Sequence, residues 1–457
     1  MPETGYTLLI VESPVIGRIV QKLVPSSVYV LATGGYPWTP VYDSANHRLK
    51  KVADPDKRDF RRELRNQARL ATRIIIATDS DPSGDFIAWS LGVFLSPHRV
   101  QRGFLRNLTQ AGMLKLLQSA RELNTDKLAI ELRNRYLIRA LWHRQSGLPD
   151  YYAAALAALF GSPLQTDHFW DEKRNLYRST SPLTCDSDQM LRLERTDPGS
   201  CWEQATPVST FDAIEYLYAS KISSSFEDAY LLLRQLFESR LPSSNASLIS
   251  YPRTHSKGFY SDTWESFYTQ YLQTGFPREF RPPFLRNNLC PEAAHESIHP
   301  LDLRIVPGDV RNELHSGQAA LYEWIYSRTL RAVTLPNQPH SVYQAGFQPD
   351  LYFYLPEHGR VSHDSKIIKV SPCMTIAGTG SALTEMGVMK PSRYAVELDR
   401  WLSKKWITVS GSVIRPGSGL YPYLDSAERF HKIFQQLRSL SGKLLESETV
   451  SAILSSY

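Results

Sequence analysis

The 457-residue sequence predicts an α/β unit at its N-terminus followed by a mainly α remainder with strand-rich pieces, and three observations lead to this. Two short apolar runs, Thr7-Leu8-Leu9-Ile10-Val11 and Ile74-Ile75-Ile76-Ala77-Thr78, each stop on carboxylates: Glu12 after the first, Asp79 and Asp81 after the second. Uninterrupted apolar runs of this length read as strands buried on both faces, as in a parallel sheet. Helix-like stretches follow both runs, Ile16 to Leu23 and Asp85 to Leu95, giving the alternation of a doubly wound unit.

Along the chain, a second strand is expected over Val28 to Ala32, ending at Thr33-Gly34-Gly35, where two glycines permit close backbone approach. A long basic connection then leads to the third strand at Ile74, and the unit closes near residue 120. A helical stretch runs from Asp126 to Gln145, an alanine-rich segment continues to Phe160, and residues 161–204 are polar and turn-rich. A second helical region starts at Ser209, with Ser224-Ser225-Phe226-Glu227 as a capping box before a helix over Ala229 to Ser239. It continues to Ala332, after which Val342 to Phe347 and Leu351 to Leu355 pattern as strands. From Ala377 the chain is again mainly helical, and it contains neither a solenoid-period repeat nor a low-complexity tail.

Single cores stop growing at about 250–300 residues, so several structural units are expected. An apolar fraction of 42% is ordinary for a globular protein, and no run of 18 uncharged apolar residues exists to span a bilayer, so a soluble protein without a membrane partner is expected. The opening MPETGYTLLIVESP lacks a basic region followed by an apolar stretch and cleavage site, which points to the cytoplasm. Cys185, Cys201, Cys290 and Cys373 form no CxxC pair, so neither a zinc ribbon nor a disulfide framework is indicated. The net charge is +6, and the stretch from Arg48 to Arg73, with ten Lys/Arg against four Asp/Glu, carries an excess equal to it. Arg48, Lys50, Lys51, Arg61 and Arg62 could there form a phosphate-contacting face; the alternative is a solvated amphipathic helix.

Glu12, Asp79 and Asp81 gathered at one sheet edge would repel unless a cation neutralised them, and hard oxygen ligands suit Mg²⁺. The plain alternative is that these acids start turns or cap helices. A second constellation lies in Leu248-Ile249-Ser250-Tyr251-Pro252-Arg253-Thr254-His255-Ser256. A phenol is a poor nucleophile at its ordinary pKa of about 10 and needs cationic neighbours to attack a phosphodiester. Arg253 can supply that charge and hold a phosphate oxygen in its planar fork, although a tyrosine beside a proline more commonly serves packing or a turn.

Glu292 to Pro300 (EAAHESIHP) completes an order: LLIVESP, ATDSDPSGD, ISYPRTHS, EAAHESIHP resembles the type IA DNA topoisomerases. Arg102 to Thr109 (RGFLRNLT), Leu321 to Leu330 (LYEWIYSRTL) and Gly387 to Ala395 (GVMKPSRYA) are similar to further segments of that family, so the resemblance spans nearly the whole chain. It implies a toroidal architecture: a TOPRIM domain over 1–120, a helical base from 121–160 and 377–457, a strand-rich arch from 161–208 and 332–376, and a nucleophile-bearing helical domain over 209–331. In such toroids the arch and nucleophile domain lift from the base to pass a strand.

The same resemblance implies that Tyr251 attacks a single-strand phosphodiester and keeps the 5′ phosphate, without ATP. Glu12 would serve as general acid and then base. Asp79 and Asp81, with Glu12 and Asp85, would hold Mg²⁺. Arg253 and His295 would contact the scissile phosphate, and Arg18, Lys390 and Ser392 other parts of the DNA. The implied partner is DNA, in single-stranded regions of negatively supercoiled duplex, and the expected form is a cytoplasmic monomer, nucleoid-associated in a prokaryote. Ser83 replaces the family's third acid, and Ile16, Gly35-Tyr36 and His255 also depart from its pattern; only Gly161-Ser162-Pro163-Leu164-Gln165 lies near the place of its Gly-Arg-Val-Gln-like motif. A topoisomerase-derived single-stranded DNA-binding protein and a TOPRIM nuclease or primase are the alternatives.

Overall fold

The computed structural model describes residues 5–43, 45–46, 48–79, 82–96, 98–105, 108–145, 147–161, 164–171, 176–185, 189–195, 205–239, 247–274, 295–333, 342–345, 348–354, 366–440 and 443–455. The chain divides into two compact units. One comprises Met1–Tyr151, Arg240–Tyr251 and Gln435–Tyr457, the other Tyr152–Ser239 and Pro252–Phe434.

In the first unit the apolar runs are central strands of a sheet. β1 (Tyr6–Val11) leads to α1 (Pro14–Leu23) and β2 (Val28–Ala32); β3 (Trp38–Asp43) and β4 (Arg48–Ala53) form a separate antiparallel pair. α2 (Arg58–Leu70), β5 (Ala71–Ala77), α3 (Pro82–Leu95), β6 (Val100–Arg102), α4 (Gln110–Ser119), β7 (Arg121–Glu122) and α5 (Thr125–Arg144) follow. The sheet order is β2-β1-β5-β6-β7, parallel except at the β7 edge.

Side chains alternate across a strand, so a strand covered on both faces must be apolar at every position. Leu8, Ile10, Ile74 and Ile76 join one buried cluster with Leu64 of α2 and Phe86, Ile87 and Leu91 of α3. The intervening Leu9, Val11 and Ile75 are buried as well. Ser13 caps α1, accepting from the Ile16 amide at 3.4 Å, with Pro14 placed in the first turn, where its missing N–H does no harm. Gly17 brings α1 close to the sheet: a Cβ there would lie 3.2 Å from the Ala32 Cβ.

The basic connection holds more structure than one amphipathic helix. Its first part is strand β4, a 3₁₀ turn over Pro55–Lys57 follows, and Arg58–Leu70 is the α-helix, burying Leu64 and Ala68. The C-terminal segment docks on α5: the Asn134 side chain donates to Lys443 O at 2.5 Å and accepts from the Leu445 amide at 3.1 Å.

The second unit opens within α6 (Tyr151–Gly161), at Tyr152, and residues 153–158 of that helix are buried. β8 (Leu164–Asp171), β9 (Leu176–Cys185), β10 (Gln189–Arg195), β11 (Val342–Ala345), β12 (Gln348–Tyr354) and β13 (Lys366–Pro372) close into a barrel in the order β10-β11-β12-β9-β8-β13. Residues 161–204, polar and turn-rich in composition and expected within a strand-rich piece, hold three strands that pair with partners far along the chain. Gly346, Phe347 and Leu355, expected in strands, lie outside the described residues.

α7 (Thr210–Ala219), α8 (Phe226–Glu238) and α9 (Ser261–Thr274) follow the first three barrel strands in sequence. The cap of α8 is one residue later than expected: Ser225 accepts from the Asp228 amide at 3.1 Å, while Ser224 donates to the Asp228 carboxylate at 2.7 Å. Cys373 is a buried free thiol, whereas Cys201 and Cys290 lie outside the described residues. Among the described residues no helix is long and apolar enough to cross a membrane.

Ile76 is fully buried in the central strand, whereas Leu70 is 64% exposed. Ile76→Ala is expected to destabilise the first unit by about 2–5 kcal/mol, and Leu70→Ala by under about 0.5 kcal/mol. Urea unfolding followed by intrinsic fluorescence checks this; equal effects would mean that the buried sheet does not dominate that unit's core.

Candidate active site

The acidic end of the sheet follows from its register. β1 and β5 pair in parallel with Val11 opposite Ala77, so Glu12 and Thr78-Asp79 leave the sheet at the same end. The end of β2 closes over Glu12: the Gly34 amide donates to Glu12 O at 2.9 Å, and Thr33 Oγ1 donates to it at 3.3 Å. Gly34 and Gly35 have φ of 61° and 103°, a conformation that glycine adopts without strain. Lys57 reaches this turn and donates from Nζ to Thr33 O at 3.2 Å and Gly34 O at 2.6 Å.

The loop after β5 is equally tight. A Cβ on Gly84 would lie 2.1 Å from Asp79 O, and Thr78 Oγ1 donates to Gly84 O at 2.7 Å. Arg102, at the end of β6, donates to Thr78 Oγ1, to Asp79 O at 2.8 Å and to Asp85 Oδ1 at 3.4 Å. Asp81 lies outside the described residues, and among these no three His, Cys, Asp or Glu side chains are grouped closely enough to hold a metal ion. Glu12 and Asp79 are hard oxygen donors at neighbouring strand ends, a donor type that fits Mg²⁺ and not a thiophilic metal.

Tyr251 falls in the first unit and Pro252 in the second. Tyr251 is buried, 7% exposed. In the second unit, Arg253 Nε donates to the Tyr230 hydroxyl at 3.1 Å. Thr210 and Thr254 exchange main-chain and hydroxyl hydrogen bonds at 2.8 Å, which fixes this strip on the first turn of α7. The His295 segment lies beside it: Thr254 Oγ1 donates to His295 O at 3.3 Å, and Ile298 bridges Val208. Glu296 is buried, accepting from the Tyr260 amide at 2.9 Å and Thr263 Oγ1 at 3.0 Å and facing His299 Nε2 at 3.2 Å. Residues 292–294 of that motif lie outside the described residues.

The remaining candidates fall in varied settings. Arg18 is exposed on α1, and Arg48 is exposed on β4. Lys50 pairs with Asp43 at 2.7 Å, and Arg62 with Asp59 at 3.0 Å. Lys51 and Arg61 are engaged internally: Lys51 donates to Ser90 O at 2.6 Å beneath the Trp38 ring, and Arg61 donates to Pro37 O at 2.8 Å and Asp54 O at 2.5 Å. Burial pushes the Lys51 ammonium down to about 8. Lys390 and Ser392 stand at the start of the helix Pro391–Ser403 in the second unit. Two residues of the acidic end were not among the expected set, Lys57 and Arg102. The first was one cation among ten in its stretch, and the second opens RGFLRNLT but gives no local sign of its target.

Comparison with known proteins adds to this geometry. Residues 7–109 match the Toprim domain model. The chain is similar to DNA topoisomerase 1 of Mycoplasma pneumoniae, 22% identical over 429 residues, covering 71% of this chain and 60% of that protein. It is also similar to DNA topoisomerase 1 of Haemophilus influenzae, 24% identical over 342 residues, covering 65% of this chain and 38% of that protein. The chain thus spans less than two thirds of the length of these curated relatives. The solved structure of full-length topoisomerase I from Thermotoga maritima superposes with a TM-score of 0.63 at 16% identity, covering 98% of this chain and 88% of that one, and the fold is shared.

Burial works to raise the Asp212 carboxyl, but Lys257 at 3.5 Å, Arg328 and hydrogen bonds with Ser209 outweigh it and hold the group below the ordinary value of 3.8. A depressed carboxylate adds stability that is complete above its unfolded value and is lost as pH falls through the folded one. Asp212→Asn is therefore expected to weaken the second unit at neutral pH and to flatten its loss of stability below about pH 4. Urea midpoints measured at neutral pH and across the acid range check this; parallel pH profiles for both proteins would refute the role of Asp212.

Proposed function

We propose that this chain, a member of the type IA DNA topoisomerase family, cuts one DNA strand through a transient phosphotyrosine link and reseals it after strand passage, relaxing negatively supercoiled DNA. The observation that carries this reading is the parallel register of β1 and β5, which delivers Glu12 and Asp79 to one sheet end in the unit that also contains Tyr251.

In this reading Tyr251 Oη attacks the phosphorus in a single-stranded region, the bond to the 3′ oxygen breaks, the phenol proton passes to water, and the 5′ phosphate stays on the tyrosine. Glu12 gives a proton to the leaving 3′ oxygen and takes one from it on resealing. Arg253 and His295 hold the phosphate oxygens, the arginine through its planar fork. Asp79 and Asp81, with Glu12, would hold Mg²⁺, which supplies charge against the developing oxyanion. Transesterification conserves the bond energy, so no ATP is required. Action as a monomer in the cytoplasm, on the nucleoid in a prokaryote, belongs to the same reading. Arg18, Lys390 and Ser392 are assigned to DNA contacts away from the reacting phosphate.

One observation favours a second reading. Ser83 stands where the family carries a third acid, and loss of metal affinity would leave a clamp for single-stranded DNA. Plasmid relaxation with and without Mg²⁺, run beside Tyr251→Phe and with covalent complex trapped by denaturant, separates the two. Relaxation and adduct that need Mg²⁺ and vanish in Tyr251→Phe are expected; DNA binding with neither would establish the clamp.

Arg48, Lys50 and Arg62 are exposed, whereas the charged ends of Lys51 and Arg61 meet main-chain carbonyls. Replacing the first three by Gln is expected to reduce the slope of log affinity against log salt by about 2 for single-stranded DNA. An unchanged slope would make that surface a solvated face.

A further inference from the structure

Arg102 is nearly buried, its side chain 9% exposed, and it ends a strand fixed beside β5 by the pairing of Ile76 with Arg102. The Gly103 amide donates to Ile76 O at 2.9 Å, so the backbone that presents the guanidinium is held on both sides of the residue. The guanidinium meets three oxygens, two just past β5 and one in the first turn of α3: Thr78 Oγ1, Asp79 O and Asp85 Oδ1, the last two at 2.8 and 3.4 Å. Its face also covers the Phe104 ring at 5.0 Å. Nη1 serves the Thr78 hydroxyl and Nη2 the other two acceptors, a spread over the planar guanidinium that the single nitrogen of a lysine does not reproduce. Thr78 Oγ1 passes the constraint on to Gly84 O, and the Gly84 contact with the Asp79 backbone allows no side chain between them. One cation thus holds Thr78 and Asp79 at the end of β5 and also faces the extra carboxylate, Asp85, that follows Ser83.

We infer that Arg102 is a positioning residue for the acidic loop and that Asp85 is its counter-charge, not a metal ligand. The inference deepens the proposed function and rests on its assignment of Asp79 to a divalent cation. Outer partners that orient ligating groups commonly govern affinity by about ten- to a hundredfold.

The test uses the full chain stripped of metal and titrated with Mn²⁺, a probe that accepts the same oxygen ligands, with free Mn²⁺ read by electron paramagnetic resonance. Arg102→Gln and Asp79→Asn are each expected to weaken binding by about tenfold or more, and Asp85→Asn by under about threefold. Arg102→Lys keeps the charge but not the fork, so it is expected to fall between wild type and Arg102→Gln. Melting curves by circular dichroism identify folded variants, and if Arg102→Gln does not fold, Arg102→Lys carries the comparison. Weakening by Asp85→Asn equal to that of Asp79→Asn would make Asp85 a ligand and overturn the inference. Undiminished binding in a folded Arg102 variant would also overturn it while leaving the metal assignment intact. A wild type that binds no Mn²⁺ would overturn both.

Discussion

The in-register parallel pairing of β1 with β5 is the constraint on which the first unit depends. It buries both faces of two strands, so every residue from Leu8 to Val11 and from Ile74 to Ala77 must be apolar, and it ends both strands at one level. Glu12 directly follows the first covered run, and Asp79 follows the second after Thr78, which is buried with its hydroxyl bonded to Gly84 O. Their nearness is an electrostatic liability that the surrounding chain relieves. Lys57 is anchored on the carbonyls beside Glu12, and Arg102 on the carbonyl of Asp79 itself. These two cations bring positive charge to the acidic edge, Lys57 through main-chain oxygens and Arg102 through the Asp79 carbonyl and the Asp85 carboxylate.

The second unit solves a different problem, that of holding two distant segments side by side. The strip after Pro252 and the His295 segment are tied by hydrogen bonds from Thr210, Thr254 and Ile298, most of them to main-chain atoms. Such ties fix the backbone whatever the side chains of Arg253 and His295 do. The buried Glu296 adds a second anchor, since its oxygens meet the amide and hydroxyl at the start of α9 as well as His299. A buried carboxylate with that many partners is costly to disturb, because removing one leaves the others unsatisfied.

Much of the acidic site was legible because a covered strand advertises itself. The run Ile74-Ile75-Ile76 admits few other structures, and the carboxylate after it marks where solvent begins. The strands between 164 and 195 were less visible: their sequence is polar and hydroxyl-rich, and they are ordered by pairing with partners beyond residue 341. The cap of α8 was displaced by one residue because Ser224 and Ser225 offer equivalent hydroxyls, and only the packed helix decides which one caps. Within the basic stretch, charge alone did not separate Lys51 and Arg61, turned toward carbonyls, from the exposed Arg48 and Arg62.

The sequence by itself determined what is coded in short windows: the two covered strands, the helices after them, the carboxylates at the strand ends and the order of motifs by which the chain resembles the type IA topoisomerases. Hydrophobic period and residue chemistry are local, so they survive in one dimension. Only the tertiary structure decided that Arg102 faces Asp85 and grips Asp79, that Lys57 closes the turn over Glu12, and that Thr254 lies beside the His295 segment. Those relations depend on which strand lies beside which. That choice is made by the joint burial of surfaces far apart along the chain, and no local pattern records it.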